Sequence, residues 1–212
     1  MLIEDKDILI KNLEIENINH QYLAWFKDKD VKKYIVGSNI KTLDELKKYY
    51  FENTLNKNSL LLGIFLKKNY HIGNIRIKFK DKSKQSCSIG ILIGNKGFRN
   101  KGIGKRSLEL VIEKINEFYN TIKFELGVNH QNFSAINSYQ NAGFIIKNKK
   151  NNSLLMEKNL KNLNFHKFSI GTAQMGMNYG ILNKNKIIND GEFKKIINYC
   201  NKFGINSLDT SP

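Results

Sequence analysis

A short loop containing two glycines separates a β-strand pattern from the clearest helical pattern in the chain. The loop spans residues 99–105 and has the sequence RNKGIGK. Glycines at 102 and 104 let the backbone come close to a ligand, and the unpaired N–H groups of a helix N-terminus attract anions. The following helix is predicted from one apolar stripe at helical spacing: Leu108, Val111, Ile112, Ile115 and Phe118. This order predicts an α/β fold with a phosphate-binding site at the loop.

Known phosphate-binding motifs narrow the interpretation of this loop. It is not a Walker A loop, because Ile103 stands where that motif has its lysine. It is not a dinucleotide-binding fingerprint either, because Ser107 stands where the third glycine would be. Lys101, Lys105 and Arg106 add positive charge around the glycines. The alternative is an ordinary glycine turn that opens a helix.

The rest of the chain alternates between periods of two and 3.6 residues. Strands are predicted at 7–13, 59–67, 72–80, 86–94 and 122–128, with two closing strands in GFIIKNK and SLLMEKNL. Helices are predicted at 18–35, after the capping box of Thr42 and Glu45, after the glycine loop, and at 132–142. Three of the strands follow in series with short polar turns, which favours an antiparallel meander. Taken together, these strands and helices predict an α/β fold with helices on both faces of a mixed sheet.

Charge and hydropathy limit the classes of protein to which this chain can belong. The 212 residues include 35 Lys+Arg against 19 Asp+Glu, a net charge of +16, and 41% are hydrophobic, which is a globular composition. The basic residues are scattered and form no run interleaved with aromatics, so we expect no nucleic-acid partner. They reflect either a coding bias toward Lys and Asn on solvated faces or a surface that attracts a polyanionic ligand.

The sequence pattern does not predict a membrane or secreted protein. No apolar run reaches the roughly 18 residues that a membrane span needs. The start, MLIEDKDILIKN, is broken by acids and lysines where a signal peptide has its apolar stretch. We therefore expect a cytoplasmic protein with no membrane partner. Cys87 and Cys200 are too few for a disulfide framework.

Several motifs together resemble one enzyme family. The pattern R-x-x-G-x-G at residues 99–104, followed by Asn132, Ala135, Tyr139 and the pair Gly143-Phe144, resembles the GNAT superfamily of acetyl-CoA-dependent N-acetyltransferases. In detail the segment is most similar to the branch with ribosomal-protein and amino-sugar N-acetyltransferases. The resemblance implies a GNAT domain over residues 1–160, with splayed fourth and fifth strands. It also implies acetyl-CoA as co-substrate and no metal.

The resemblance implies cofactor-binding roles for individual residues. The fourth predicted strand contains Ile91 and Ile93, and its backbone would pair with the pantetheine arm. A backbone N–H near Ile93 would stabilise the oxyanion of the reaction. Asn132, on the helix after the fifth strand, would contact the cofactor arm. The pyrophosphate would lie on the loop residues Arg99, Asn100, Lys101, Gly102, Ile103, Gly104 and Lys105.

The resemblance also suggests catalytic residues, each with an alternative. Tyr139 would protonate the departing thiolate, or it is a core aromatic that shares a helical face with its neighbours. Many members of this branch carry a Glu as general base where this chain has Ser88, and a hydroxyl cannot take the proton. Glu125 and His130 are substitutes, unless water carries the proton to solvent. Their alternatives are an exposed strand carboxylate and a loop histidine with a local hydrogen bond.

Acceptor recognition is expected from the first helices and the mouth of the splayed strands. His20, Tyr22, Trp25 and Phe26 are candidates, because aromatic walls with polar tips suit a sugar ring or a uracil. His130, just beyond the fifth strand, is a further candidate. The alternative is core packing of Trp25 and its neighbours in a short helix. The expected acceptor is a small-molecule primary amine on a nucleotide-linked amino sugar, in surface-polysaccharide or nonulosonic-acid biosynthesis. A protein α-amine and a non-catalytic CoA-binding module are the alternatives, and a homodimer is left open.

The last segment, residues 161–212, has a resemblance of its own. After an Asn/Lys-rich linker, SIGTAQMGMNYGI and the later LDTSP look like the opening of an aldo/keto reductase. That resemblance implies an incomplete (β/α)-barrel fragment, because such a barrel needs typically about 250 residues. Asp209 would stand there without the Tyr, Lys and His that those enzymes need beside it.

Overall fold

In a computed structural model the chain separates into two compact units, Met1–Leu160 and Lys161–Pro212. The structure describes residues 1–34, 40–66, 69–160, 169–171, 189–202 and 207–209. Residues 161–168 and 172–188, which include most of the predicted linker and of the glycine-rich stretch, lie outside the described residues. Within the described ranges, no helix is long and apolar enough to cross a membrane.

The first unit contains one mixed sheet of eight strands in the order β1-β2-β3-β4-β5-β6-β8-β7. Every neighbouring pair is antiparallel except β5 and β6, which are parallel. The predicted meander is confirmed as β3, β4 and β5. The strands are β1 (Leu2–Asp5), β2 (Ile8–Asn12), β3 (Ser59–Leu66), β4 (Tyr70–Phe79), β5 (Ser86–Ile93), β6 (Lys123–Asn129), β7 (Ile145–Lys150) and β8 (Ser153–Asn159).

Five α-helices of the first unit are described, and side chains at their N-termini start three of them. Asn19 caps α1, and Asn132 caps α5. The capping box before α3 is confirmed, because Glu45 N donates to Thr42 Oγ1 at 3.2 Å and Thr42 N donates to Glu45 Oε2 at 3.0 Å. The helices are α1 (His20–Lys27), α2 (Lys29–Tyr34), α3 (Leu43–Thr54), α4 (Ile103–Tyr119) and α5 (Phe133–Asn141).

Helices cover both faces of the sheet, as predicted. One face, here called the α4 face, carries the alternate β4 residues Ile75, Ile77 and Phe79, which join a buried cluster with α4 and α5. The opposite face, here called the α1 face, carries Leu61 and Phe65 of β3 in a second cluster with α1 and α3. The mixed sheet therefore has two separate apolar cores.

The strand predicted at 7–13 is confirmed as β2, but the sequence missed β1, which pairs with it in a hairpin where Lys6 adopts a left-handed φ of 48° at the turn. A second local expectation is wrong. Phe118 does not belong to the buried stripe of α4, because its side chain is 60% exposed. Tyr119 packs there instead, edge-on to Phe79 with ring centroids 5.0 Å apart. The helix ends at Tyr119, and the apolar stripe shifts by one position in its last turn.

The second unit contains a strand, a helix and a strand among its described residues. β9 (Ser169–Gly171) and β10 (Ser207–Asp209) pair in parallel, with Ser169 opposite Ser207. The helix α6 (Asp190–Lys202) lies between them in sequence. A parallel pair needs such a crossover connection, so these elements have the order of one βαβ unit.

Candidate functional site

The first feature of the site is a gap between two parallel strands. β5 and β6 pair only where Ser86–Ser88 meets Lys123–Glu125. Beyond that point the described residues form no ladder between the two strands, although each keeps its other neighbour: β5 pairs with β4 as far as Ile93, and β6 pairs with β8 as far as Asn129. The facing edges of Ile89–Ile93 and Leu126–Asn129 define the interstrand gap. Apart from the carbonyl of Ile93, which accepts from Arg99, and that of Asn129, which accepts from Asn132 N, the backbone groups on these facing edges can pair with an extended ligand.

The glycine loop lies at the mouth of this gap. Gly102 has a left-handed φ of 75° and is the N-cap of α4, and no side chain caps the first turn of that helix. A Cβ at Gly102 would meet no atom within 4 Å, so the left-handed φ, and not a lack of space, favours glycine there. A Cβ at Gly104 would lie 3.6 Å from Ile93 Cγ1. The uncapped N–H groups of α4 therefore start directly beside β5 and can bind an anion at the end of the gap.

The loop residues differ in what their side chains do. Asn100 has a left-handed φ of 58°, and its Oδ1 accepts a hydrogen bond from Ser134 Oγ at 2.9 Å, which joins the loop to α5. Lys101 Nζ lies 5.4 Å from the centroid of the Phe98 ring. Lys105 pairs with Glu109 on the next turn of α4 at 3.7 Å. Sequence reasoning missed Ser134, since only the fold brings it to the loop.

Arg99 is engaged inside the fold. Its Nε donates to the carbonyl of Ile93 at 2.9 Å, and its Nη2 donates to the carbonyl of Gly94 at 2.7 Å. The same Nη2 lies 3.0 Å from Asp28 Oδ2, and the Arg99 side chain is 20% exposed. The guanidinium thus fastens the loop to the end of β5 and to the joint between α1 and α2. It supports the loop, while the backbone of the loop stays available to a ligand.

Asp28 is the partner that the sequence did not reveal. Its side chain is 7% exposed and also lies 3.4 Å from Lys96 Nζ. Burial alone raises the pKa of Asp28, but hydrogen bonds from the Asp30 N–H and from Arg99 outweigh it and hold that pKa below its ordinary value. Asp28 is therefore charged at neutral pH and holds Arg99 in place.

Tyr22 and Trp25, two candidates for acceptor binding, are buried in the cluster of the α1 face. Trp25 lies so close to Gly94 that a Cβ at Gly94 would overlap its ring. His71 packs beside Trp25 with ring centroids 4.8 Å apart, and it stacks on Phe65 at 4.8 Å. These contacts favour the packing role that the sequence left open, and they press the end of α1 onto the end of β5.

His20, His130 and Asn132 lie at element ends. His20 is exposed at the first position of α1. His130 follows β6, is half-buried, and its backbone N–H donates to Asn152 O at 2.9 Å. Asn132 uses its Oδ1 to accept from Ala135 N at 3.3 Å, so its amide nitrogen is the part that remains for a ligand. None of the three contacts another predicted site residue through a described side-chain hydrogen bond.

Tyr139 lies on α5 and packs against the main core, half-buried. Its ring centroid is 6.2 Å from that of Phe144. Burial raises the pKa of the Tyr139 hydroxyl to about 12, so this group stays protonated at neutral pH. A protonated phenol is the form that a general acid needs.

Glu125 lies opposite Ser88 at the point where the two strands begin to separate. It is 9% exposed, forms an ion pair with Lys80, and has Lys123 Nζ at 3.3 Å from Oε1. The hydrogen bond from Lys80, followed by that from Lys123, holds the pKa of Glu125 below its ordinary value. A carboxylate stabilised in this way is a weak base, which disfavours the general-base role suggested by the sequence.

The fold and the site together define a class of protein. A gap between parallel strands can pair with an extended arm, and the helix N-terminus at its mouth can hold a pyrophosphate, so the class is an acyltransferase that binds acyl-CoA. A family model described as an acetyltransferase (GNAT) domain matches residues 7–145, and the chain belongs to this family. It is an N-acetyltransferase with acetyl-CoA as co-substrate.

Solved structures share the fold at low sequence identity. A domain from Methanocaldococcus jannaschii is 22% identical, with a TM-score of 0.62 over 74% of this chain and 100% of that one. A ribosomal L7/L12 α-N-protein acetyltransferase in complex with coenzyme A is 14% identical, with a TM-score of 0.67 over 76% and 98%. A spermidine N-acetyltransferase chimera from Vibrio cholerae and hSSAT is 15% identical, with a TM-score of 0.63 over 73% and 96%. No curated protein matches the chain.

Metal ligation is a separate question. Within the part of the chain that the structure describes, no group of three or more His, Cys, Asp or Glu side chains could hold a metal ion.

Proposed function

We propose that the protein transfers the acetyl group of acetyl-CoA to the primary amine of a nucleotide-linked amino sugar, in surface-polysaccharide or nonulosonic-acid biosynthesis. The observation that carries acetyl transfer is the interstrand gap with the N-terminus of α4 at its mouth. The nucleotide-linked acceptor is the finer part of this proposal, and it rests on the sequence resemblance of residues 161–212 to the opening of an aldo/keto reductase.

The proposed binding mode uses backbone groups more than side chains. The N–H groups of the first turn of α4 hold the pyrophosphate, with Gly102 giving close access. The free edge of β5, at Ile91 and Ile93, pairs with the pantetheine arm in the interstrand gap. The amide nitrogen of Asn132 donates to the same arm. Arg99 keeps the loop and the end of β5 in register.

The proposed reaction is direct attack on the thioester. The amine nitrogen forms a bond to the carbonyl carbon, and a backbone N–H near Ile93 stabilises the oxyanion, a type of contact that contributes about 3 kcal/mol. The carbon–sulfur bond then breaks, and the CoA thiolate takes the proton of Tyr139. Since Glu125 is a weak base here, the extra proton of the amine leaves to water. Tyr139 regains its proton from solvent.

The test of this function follows thiol release from acetyl-CoA with a panel of UDP-amino sugars, polyamines and peptides. We expect turnover with UDP-amino sugars. Turnover confined to peptides would replace the sugar by a protein α-amine, and acetyl-CoA binding without any turnover would favour a CoA-binding module. As the site control, Gly102→Val should lose acetyl-CoA affinity while the protein stays folded by circular dichroism, because valine disfavours a positive φ.

For the second unit we propose an evolutionary relation to the first strand, helix and strand of an aldo/keto reductase barrel. The parallel pairing of β9 and β10, with α6 between them in sequence, supports it. The cytoplasmic location and the homodimer stay predictions.

A further inference from the structure

We propose that Arg76 and Lys78, two of three cations in a row along β4 that are here called the basic row, bind a phosphate-bearing part of the acceptor. The basic row consists of Arg76, Lys78 and Lys80, the last being the residue after the strand. This inference rests on the proposed acetyl transfer and names where the nucleotide portion of its acceptor lies.

The basic row lies on the α1 face of the sheet, because successive side chains of a strand point to opposite faces. Ile75, Ile77 and Phe79 point into the core of the α4 face, so the residues between and after them lie on the α1 face. Arg76 is paired with Leu61, whose side chain belongs to the cluster of that face. All three cations are exposed, and neighbours in the row are about 7 Å apart. The row therefore extends along the open part of the α1 face, next to α3.

The register places the basic row beside the interstrand gap. Lys78 is directly opposite Ser88, the last residue of β5 that pairs with β6. Arg76 is directly opposite Gly90, where a Cβ would meet no atom within 4 Å. No side chain at position 90 stands between Arg76 and the edge of the gap. An acceptor that approaches a thioester in the gap from the α1 face therefore comes close to Arg76 and Lys78.

The charges on this face leave a surplus of positive charge. The acids of β6 and β8, Glu125 and Glu157, are already paired: Glu125 with Lys80 and Lys123, and Glu157 with Lys123 at 2.9 Å and Lys147 at 3.6 Å. Among the described residues, neither Arg76 nor Lys78 has a carboxylate within 4.0 Å. Two cations next to the gap are therefore without a carboxylate partner.

The surplus of positive charge on the α1 face favours amine acceptors that carry phosphate over amine acceptors that are polycations. A polycation such as spermidine is repelled by the basic row, whereas a diphosphate forms charge-assisted hydrogen bonds with Arg76 and Lys78. The same field disfavours the ammonium form of an incoming amine, which supplies the neutral nucleophile without a strong general base. Glu125 is paired with Lys80 and Lys123, so it is a weak base, and the positive field would supply the neutral amine in its place.

The first experiment measures the affinity of UDP for the protein saturated with CoA, which blocks the pyrophosphate site at α4. We expect the wild-type protein to bind UDP and the double variant Arg76→Gln/Lys78→Gln to bind it about tenfold or more weakly. Lys78→Arg keeps the charge and should retain binding. Lys149→Gln is the matched control, because Lys149 is an exposed lysine paired with Leu154 of the α4 face. Equal UDP affinity in the double variant, or no binding by the wild type, would overturn the inference.

The second experiment separates this inference from the proposed function. Acetyl-CoA affinity and melting temperature should be unchanged in the double variant, while KM for a UDP-amino sugar rises about tenfold and kcat changes little. Faster turnover with spermidine than with the UDP-amino sugar would overturn the inference but leave acetyl transfer in place. Faster turnover with a glutamate-rich peptide than with the UDP-amino sugar would do the same. A wild-type protein that does not bind acetyl-CoA would instead contradict the proposed function.

Discussion

Single residues at the glycine loop act mainly by holding backbone in place. Gly102 supplies a left-handed φ at the N-cap of α4, and Arg99 supplies hydrogen bonds to two carbonyls at the end of β5. The charge of Arg99 is directed at Asp28, and its contact with a phosphate stays a prediction. Arg99 positions the loop, and the backbone N–H groups at the start of α4 can bind an anion there.

The link between Asp28 and Arg99 gives a first prediction. Asp28→Asn leaves a guanidinium, 20% exposed, without its main charge partner, so the loop loses support. We expect acetyl-CoA affinity to fall about tenfold, because a tenfold change corresponds to the loss of about one charged hydrogen bond. The melting temperature should fall as well. Calorimetric titration with acetyl-CoA measures the effect. Asp30→Asn is the matched control, because Asp30 is 72% exposed and 3.6 Å from Arg99; an equal loss in both variants would contradict the special role of Asp28.

Tyr139 gives a second prediction. Tyr139→Phe removes the proposed general acid, but a CoA thiolate is a fair leaving group with a pKa of roughly 8.5 by analogy with cysteine. We therefore expect kcat to fall by about 100-fold at most, which is the lower end of the usual rate contribution of a general acid. The KM for acetyl-CoA should not change. Because the pKa of Tyr139 is about 12, the wild-type pH–rate profile should show no decline from its ionisation between about pH 7 and 10. Unchanged kcat in the phenylalanine variant would leave Tyr139 as a packing residue.

At the scale of elements, two strands and two helices define the site. The gap exists because β6 pairs with β8 along its whole length, whereas its pairing with β5 stops at Glu125. α4 starts at the open end of this gap, and α1 is pressed onto the end of β5 through Trp25 and Gly94. His71 is part of that contact and is 6% exposed.

The docking of α1 predicts a pH dependence of stability. Burial lowers the pKa of His71 below its ordinary value of 6.5, so the unfolded chain takes up a proton before the folded one does. The stability that the neutral imidazole gives is thus complete above pH 6.5 and is lost as the pH falls from there through the folded pKa. We expect the melting temperature to fall between pH 7.5 and 5.5. His71→Gln should flatten this slope and His20→Gln, at an exposed position, should not; the same slope in both would contradict the assignment.

At the scale of the whole molecule, the two units differ in what they contribute. The glycine loop, the interstrand gap, the basic row and both apolar clusters lie within Met1–Leu160. The second unit contributes β9, α6 and β10 among its described residues. Acetyl transfer should therefore be a property of the first unit.

Truncation after Leu160 tests this assignment. Every residue proposed to hold acetyl-CoA remains in the shortened chain, so we expect its affinity for acetyl-CoA to stay within about twofold of the full chain, a change below 0.5 kcal/mol. Titration of both proteins with acetyl-CoA gives the comparison. A large loss of affinity in a truncated protein that still melts cooperatively would show that the second unit contributes to the site.

Much of the fold could be predicted because it depends on neighbours in sequence. The capping box at Thr42 and Glu45 and the apolar stripe of α4 each involve residues within a few turns. The hairpin at Lys6 was missed, since its turn contains no glycine or proline. Phe118 was misplaced because two adjacent aromatics, Phe118 and Tyr119, compete for one position at the end of α4.

The sequence by itself determined the order of strands and helices and the glycine loop, because these depend on local periodicity and spacing. Its motifs at 99–104 and 132–144 resembled the family that the comparison with family models then showed. The tertiary structure alone decided how far β5 and β6 stay paired, that Arg99 meets Asp28, and that Glu125 is held by two lysines. It also decided that Arg76 and Lys78 lie opposite Gly90 and Ser88 of β5, with no carboxylate of the described residues within 4.0 Å. Those properties join residues from distant parts of the chain, and a pKa or an ion pair depends on distances that only the folded sheet sets.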